Sequence, residues 1–117
     1  MSNPDIQIAI FDDDSDLMRS YLKMFPMFGI EVKKSALTLA ESKILIPQLS
    51  TTDIVAALID GSIGGQVIID MLADKVPHIK RVGFSADRKM NNTHLDLYKP
   101  MRPDELADAI IQISKAK

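Results

Sequence analysis

The chain has 117 residues, which suits one domain and leaves no room for a second. Apolar residues make up 46% and charged residues 26%, an ordinary balance for a chain with a packed core. A net charge of −2 gives no basic surplus for nucleic acid, and the lack of cysteine rules out disulfides and thiolate metal sites. No apolar run reaches the ~18 residues of a membrane span, and the start, MSNPDIQ, lacks the basic and apolar stretches of a secretory signal. The expected location is the cytoplasm, with no membrane or nucleic-acid partner.

Ile6 to Phe11 is an apolar run that stops at Asp12, Asp13 and Asp14, the pattern of a buried strand with an acidic carboxyl end. Asp14 or Ser15 can cap a following helix. Leu17, Tyr21, Met24 and Phe28, flanked by Met18, Leu22 and Phe25, give that helix a broad apolar face. Pro26 should kink or stop it, and Gly29 ends the segment. Ile30 to Lys33 is a short strand placed near an edge. Leu37 to Leu49 is a weak helix, interrupted by Pro47.

Ile54 to Ile59 is continuously apolar, as a strand covered on both faces should be, and Asp60 follows it. The small-residue turn Gly61 to Gly65 leads into a helix carrying Val67, Ile68, Met71 and Leu72 as far as Lys75, before Pro77. Ile79 to Phe84 is a fourth strand, ending at Ser85. Residues 86–93 are polar and aperiodic. Leu95 to Tyr98 is a fifth strand, ending at Lys99-Pro100. Pro103 suits the first position of a last helix, with Asp104 and Glu105 in its first turn and Lys115 and Lys117 at its end. Strands alternating with helices imply a parallel sheet covered on both faces.

Four of these strands end in polar residues: Asp12 and Asp13, Asp60, Ser85, and Lys99. Ligands of open α/β sheets bind at the carboxyl ends of the strands, so these residues should meet. Three carboxylates in one place call for a cation, and an oxygen-only donor set selects a hard ion such as Mg²⁺. A carboxylate can also attack phosphorus, with a lysine and a hydroxyl balancing the phosphoryl oxygens.

The residues Asp12-Asp13, Asp60, Ser85 and Lys99-Pro100, in this order at strand ends, resemble the receiver domain of two-component response regulators over nearly the whole chain. That resemblance implies a single receiver domain spanning 1–117, with a flavodoxin-like five-stranded sheet in the order 2-1-3-4-5. It implies Asp60 as phosphoacceptor, Asp12, Asp13 and Asp60 as Mg²⁺ ligands, and the Ser62 carbonyl as a further ligand. Ser85 and Lys99 would engage phosphoryl oxygens, and Ala86 would leave them room. The donor would be a histidine kinase or a histidine phosphotransfer protein, and the output an unidentified downstream protein. Such a domain catalyses only its own phosphorylation and dephosphorylation.

The sequence departs from the pattern in three places. Gly64 stands where a proline is usual, in a turn that looks shortened. Only 13 residues, 86–98, separate Ser85 from Lys99, so the fourth helix should be missing, short or mobile. Asp96 occupies the place of the usual switching aromatic, which shifts the expected output to ordering of the 86–94 loop. Two alternatives stand beside this reading. One is a pseudo-receiver that binds partners without phosphorylation. The other is a small haloacid-dehalogenase-type phosphatase, suggested by Asp12-x-Asp14 but departing from that motif at Asp16. His78 and His94 have no ligand-spaced partner and read as structural or solvent-facing.

Overall fold

A computed structural model describes residues 6–87 and 89–116, so Arg88 and Lys117 lie outside the described residues. Five strands, β1 (Ile6–Phe11), β2 (Ile30–Ala36), β3 (Ala56–Asp60), β4 (Lys80–Ser85) and β5 (Leu95–Tyr98), form one parallel sheet in the order β2-β1-β3-β4-β5. This is the order implied by the resemblance. Among the described residues four helices pack on it: α1 (Ser15–Met24), α2 (Leu39–Leu45), α3 (Gly65–Lys75) and α4 (Pro103–Lys115).

Alternation along the strands sorts the apolar side chains into two cores. Ala9, Phe11, Ala57 and Ile59 face one way and meet Ile46 and Leu49, together with Ile68, Ile69 and Leu72 of α3. Ile8, Ile10, Leu58, Val82 and Phe84 face the other way and meet Met18 and Tyr21 of α1, Phe25, and Leu106 and Ile110 of α4. The central strands are therefore apolar on both faces, and β3 is buried throughout.

Local chemistry explains the boundaries. Asp14 caps α1, its Oδ1 accepting from the N–H groups of Asp16 and Leu17 at 3.0 and 3.1 Å. Pro26 ends α1 as expected, because the chain tightens into a 3₁₀ turn over Phe25–Phe28. Leu22 is 45% exposed and so lies outside the buried face assigned to it. Helix α2 is shorter than expected: Thr38 caps it, and from Ile46 the chain runs as a 3₁₀ turn around Pro47. Strand β2 runs on through Lys33, Lys34 and Ser35, all exposed on the sheet edge, with a bulge opposite Ile8 and Ala9.

The fourth helix of the expected fold is missing among the described residues. Among the described residues of 86–94 no helix occurs, and β4 reaches β5 through a nine-residue crossover, shorter than the dozen or so usual for parallel strands. The sheet face beneath is adapted to this. Gly83 lies beside Asp96, Arg81 is buried, and among the described residues of the crossover Met90 alone drops into the core. Thr93 Oγ1 donates to Asp96 Oδ2 at 3.0 Å, so the carboxylate at the switching-aromatic position is held locally. A groove of about 620 Å³ runs along residues 89–96, and none of the candidate site carboxylates lines it.

Candidate functional site

Strand register assembles the site. Phe11 pairs with Ile59 and Asp60 with Phe84, so the residues that follow β1 and β4 flank Asp60. Ser85 pairs with Tyr98, and the Lys99 N–H donates to the Ser85 carbonyl at 2.9 Å, which brings Lys99 beside Ser85. Carboxylate oxygens of Asp12, Asp13 and Asp60 lie within 4.8 Å of one another. Asp12 and Asp60 are buried, and Asp13 is exposed at the mouth.

Lys99 closes the inner side of the cluster. Its Nζ lies 2.8 Å from Asp60 Oδ1 and 3.6 Å from Asp12 Oδ2, and 5.3 Å above the Phe84 ring. Burial opposes ionisation of Asp60, but hydrogen bonds from Lys99 and Ser62 outweigh it and hold this carboxyl below its usual range. Burial likewise opposes the Lys99 charge, and the carboxylates of Asp60 and Asp12 override it, raising the ammonium above its usual value. Asp12 goes the other way. Burial, with the charges of Asp60 and Asp13, pushes it up, against the Asp14 N–H bond at 2.9 Å and Lys99. One ammonium thus serves two buried carboxylates and satisfies only one of them.

Ser62 has a role the sequence reading did not assign to it. Its hydroxyl donates to Asp60 Oδ2 and lies 3.1 Å from Asp13 Oδ1, and its N–H donates to Asp60 Oδ2 at 3.2 Å. The 3₁₀ turn Gly61–Ile63 makes this possible, and Gly64, at φ +89°, reverses the chain directly into α3. On the far side, Ser85 Oγ pairs with Asp87 Oδ1 at 3.3 Å. Asp60, Ser62, Ser85, Ala86, Asp87 and Lys99 together line a cleft of about 260 Å³. All the residues expected at the site are therefore in one place. The structure adds Phe84 beneath Lys99, which alternation next to Ser85 could have signalled.

Three oxygen donors, one of them raised by burial and by like charge, fit a hard divalent cation: such an ion would relieve the repulsion that Lys99 leaves at Asp12. Asp14 does not take part. Its Oδ1 caps α1, so the second aspartate of the Asp-x-Asp motif is not among the clustered carboxylates.

His94 lies apart from the site, and its Nδ1 accepts from the Arg81 N–H at 2.9 Å. This is the structural role expected of it.

No protein-family model matches the sequence, and no curated protein matches it. Solved structures do. A CheY-like response regulator receiver domain protein from Methanospirillum hungatei JF-1 superposes with a TM-score of 0.78 at 20% identity, covering 93% of each chain. A response regulator receiver domain protein from Clostridium thermocellum gives 0.80 at 19% identity, covering 92% of each. A response regulator from Thermotoga maritima gives 0.76 at 16% identity, covering 95% of this chain and 98% of that one. The chain therefore has the flavodoxin-like fold of CheY-like response regulator receiver domains, with its acidic cluster at the carboxyl ends of the strands.

Proposed function

We propose that the chain is a phosphoryl-accepting receiver domain of a two-component system or phosphorelay, with Asp60 as acceptor. The observation that carries this reading is the pairing of the buried Asp60, held below the usual carboxylate range, with Lys99 inside a cluster of three carboxylates served by one ammonium. A nucleophilic carboxylate must stay ionised while buried, and Lys99 and Ser62 achieve this. In the reaction an Asp60 oxygen attacks phosphorus, and a P–O bond forms as the P–N bond of a donor phosphohistidine breaks. The electron pair stays on the donor imidazole. Phosphoryl transfer depends on placement and charge neutralisation; the cleft offers space beside Asp60, and Lys99 in its lining offers positive charge.

Asp12, Asp13 and Asp60, with the Ser62 carbonyl, would hold Mg²⁺, which when bound would neutralise charge developing on the phosphoryl oxygens. Lys99, released from Asp60, would pair with one phosphoryl oxygen, and Ser85, released from Asp87, would donate to another. Ala86 leaves space beside them. The donor would be a histidine kinase or a histidine phosphotransfer protein, the location the cytoplasm, and the chain would act only on itself. The crossover, pinned at Met90, Asn91 and Asn92, favours output by a shift of a held segment over the ordering of a free loop.

Incubation with acetyl phosphate and Mg²⁺, read by intact mass, tests the proposal. A phosphoadduct is expected in the native chain and not in Asp60→Ala. The missing fourth helix favours a second reading, a binding module that works without phosphorylation. An unlabelled native chain would support that one instead.

A further inference from the structure

Ser85 and Ala86 belong to the one part of the candidate site that, among the described residues, no following helix supports. What holds them is the crossover. Met90 is 3% exposed and sits in the core shared with α2 and α3. Its thioether lies between two glycines. A Cβ on Gly65 would stand 3.0 Å from Met90 Sδ, and a Cβ on Gly83 would stand 2.8 Å from Met90 Cε. Gly65 is itself pressed against the acceptor, since the same added carbon would lie 2.6 Å from the Asp60 carbonyl oxygen. Met90 thus bears on the first residue of α3, behind Asp60, and on β4 two residues before Ser85.

Polar bonds fix the same stretch. The Gln66 amide donates to the Asn91 carbonyl at 3.0 Å and accepts from the Asn91 N–H at 2.8 Å. Arg81 Nε donates to the Asn92 carbonyl at 2.8 Å. Asn92 takes a left-handed conformation, φ 64°, which an asparagine tolerates.

We propose that Met90 is a positioning residue of the phosphoryl site, acting through Ser85 and Ala86 and stabilised by the Gln66–Asn91 pair. The proposal rests on the reading of Asp60 as phosphoryl acceptor. Four residues, 86–89, tie Ser85 to Met90. Ordering a free segment around a phosphoryl group costs about 1–2 kcal/mol per residue. Anchoring at Met90 removes part of that cost before the phosphoryl group arrives. Gly65 and Gly83 are the residues that admit the thioether.

Beryllofluoride with Mg²⁺, a mimic of the bound phosphoryl group, provides the test. Met90→Ala is expected to weaken beryllofluoride binding about tenfold, the equivalent of losing one ordered residue. Mg²⁺ binding should be unchanged, because every proposed ligand, Asp12, Asp13, Asp60 and the Ser62 carbonyl, lies after β1 or at or after the end of β3 and none belongs to the crossover. Met90→Leu, of similar volume, should restore affinity to within about threefold of native. Gln66→Ala, outside the core, should weaken beryllofluoride binding in the same direction by a smaller factor. Amide exchange at Ser85, Ala86 and Asp87 should rise in both Met90→Ala and Gln66→Ala.

Unchanged beryllofluoride affinity in both variants would overturn the proposal. So would a parallel fall in Mg²⁺ affinity, which would mark a general loss of structure. Failure of the acceptor reading looks different: the native chain itself would not bind beryllofluoride. Amide exchange then decides, and unchanged exchange at residues 85–87 in both variants would refute the positioning role on its own.

Discussion

Replacing Lys99 with methionine should destabilise the metal-free protein strongly at neutral pH, because it leaves two buried carboxylates without a cation. The substitution keeps an unbranched stem over Phe84 and removes only the charge. At an effective dielectric of about 20, the contacts at 2.8 and 3.6 Å correspond to attractions of roughly 6 and roughly 5 kcal/mol. Desolvation of the ions offsets several kcal/mol of this. A net loss of about 2–4 kcal/mol is expected, near that seen when one partner of a buried pair is removed.

The pH dependence fixes the cause. Asp60 is held below its unfolded value of about 3.9, so its native contribution is present above that pH and is lost only as pH falls through the lower folded value. Lys99 is raised, so its contribution is present below about 10.4 and lost as pH rises through the higher folded value. Without Lys99, Asp12 and Asp60 can relieve their burial by taking up protons. The deficit of Lys99→Met should therefore shrink between pH 7 and pH 4.5. Mg²⁺ at 100 times its dissociation constant should return about 2.7 kcal/mol at pH 7. Urea denaturation at both pH values, with and without Mg²⁺, measures all of this. A deficit under about 0.5 kcal/mol at pH 7, or one that does not change with pH, would refute the electrostatic reasoning.

Asp12→Asn should stabilise the metal-free protein by on the order of 1 kcal/mol at pH 7, since it removes a buried charge that Lys99 serves poorly. Asp12 is raised in the fold, so the native protein should regain ground on this variant as pH falls through that raised value; denaturation with pH checks both. Gly65→Ala puts a carbon 2.6 Å from the Asp60 carbonyl oxygen, so backbone must move, at a cost of about 1–3 kcal/mol in urea denaturation. His94 is held low by burial and by Arg81 and Lys80, and its bond from the Arg81 N–H needs the neutral ring. Its contribution is present above about pH 6.5 and lost as pH falls through the lower folded value, so melting temperature should decline less between pH 6.5 and 5 in His94→Asn.

How far the sequence could be read depended on what each residue faces. Strands β1 and β3 were legible because they are covered on both faces, so Ile6–Phe11, broken only by Gln7, and the run to Ile59 read as apolar segments. The extension of β2 through Lys34, Ser35 and Ala36 was missed because an edge strand carries polar and charged side chains outward without loss. The missing helix was legible as a shortage of residues and of apolar period. What replaces it was not. Met90, Gln66 and Asn91 meet across 24 or 25 residues of chain, and no local pattern encodes such contacts.

The site shows the same division. Asp12, Asp13, Asp60, Ser85 and Lys99 could be found because each ends a strand, and register then brings strand ends together. The Ser62 hydroxyl escaped notice because its bridge from Asp13 to Asp60 depends on the tight 3₁₀ turn after β3. The unequal service of Lys99 to its two buried carboxylates is a matter of distances, 2.8 against 3.6 Å, which sequence does not carry.

The central claim is that Asp60 itself forms the acyl phosphate. Borohydride reduces an aspartyl phosphate to homoserine, and peptide mass mapping then reports its position. After incubation with acetyl phosphate and Mg²⁺, homoserine is expected at position 60 alone. Homoserine at Asp12 or Asp13, or at no position in a chain that had gained phosphate mass, would contradict the claim.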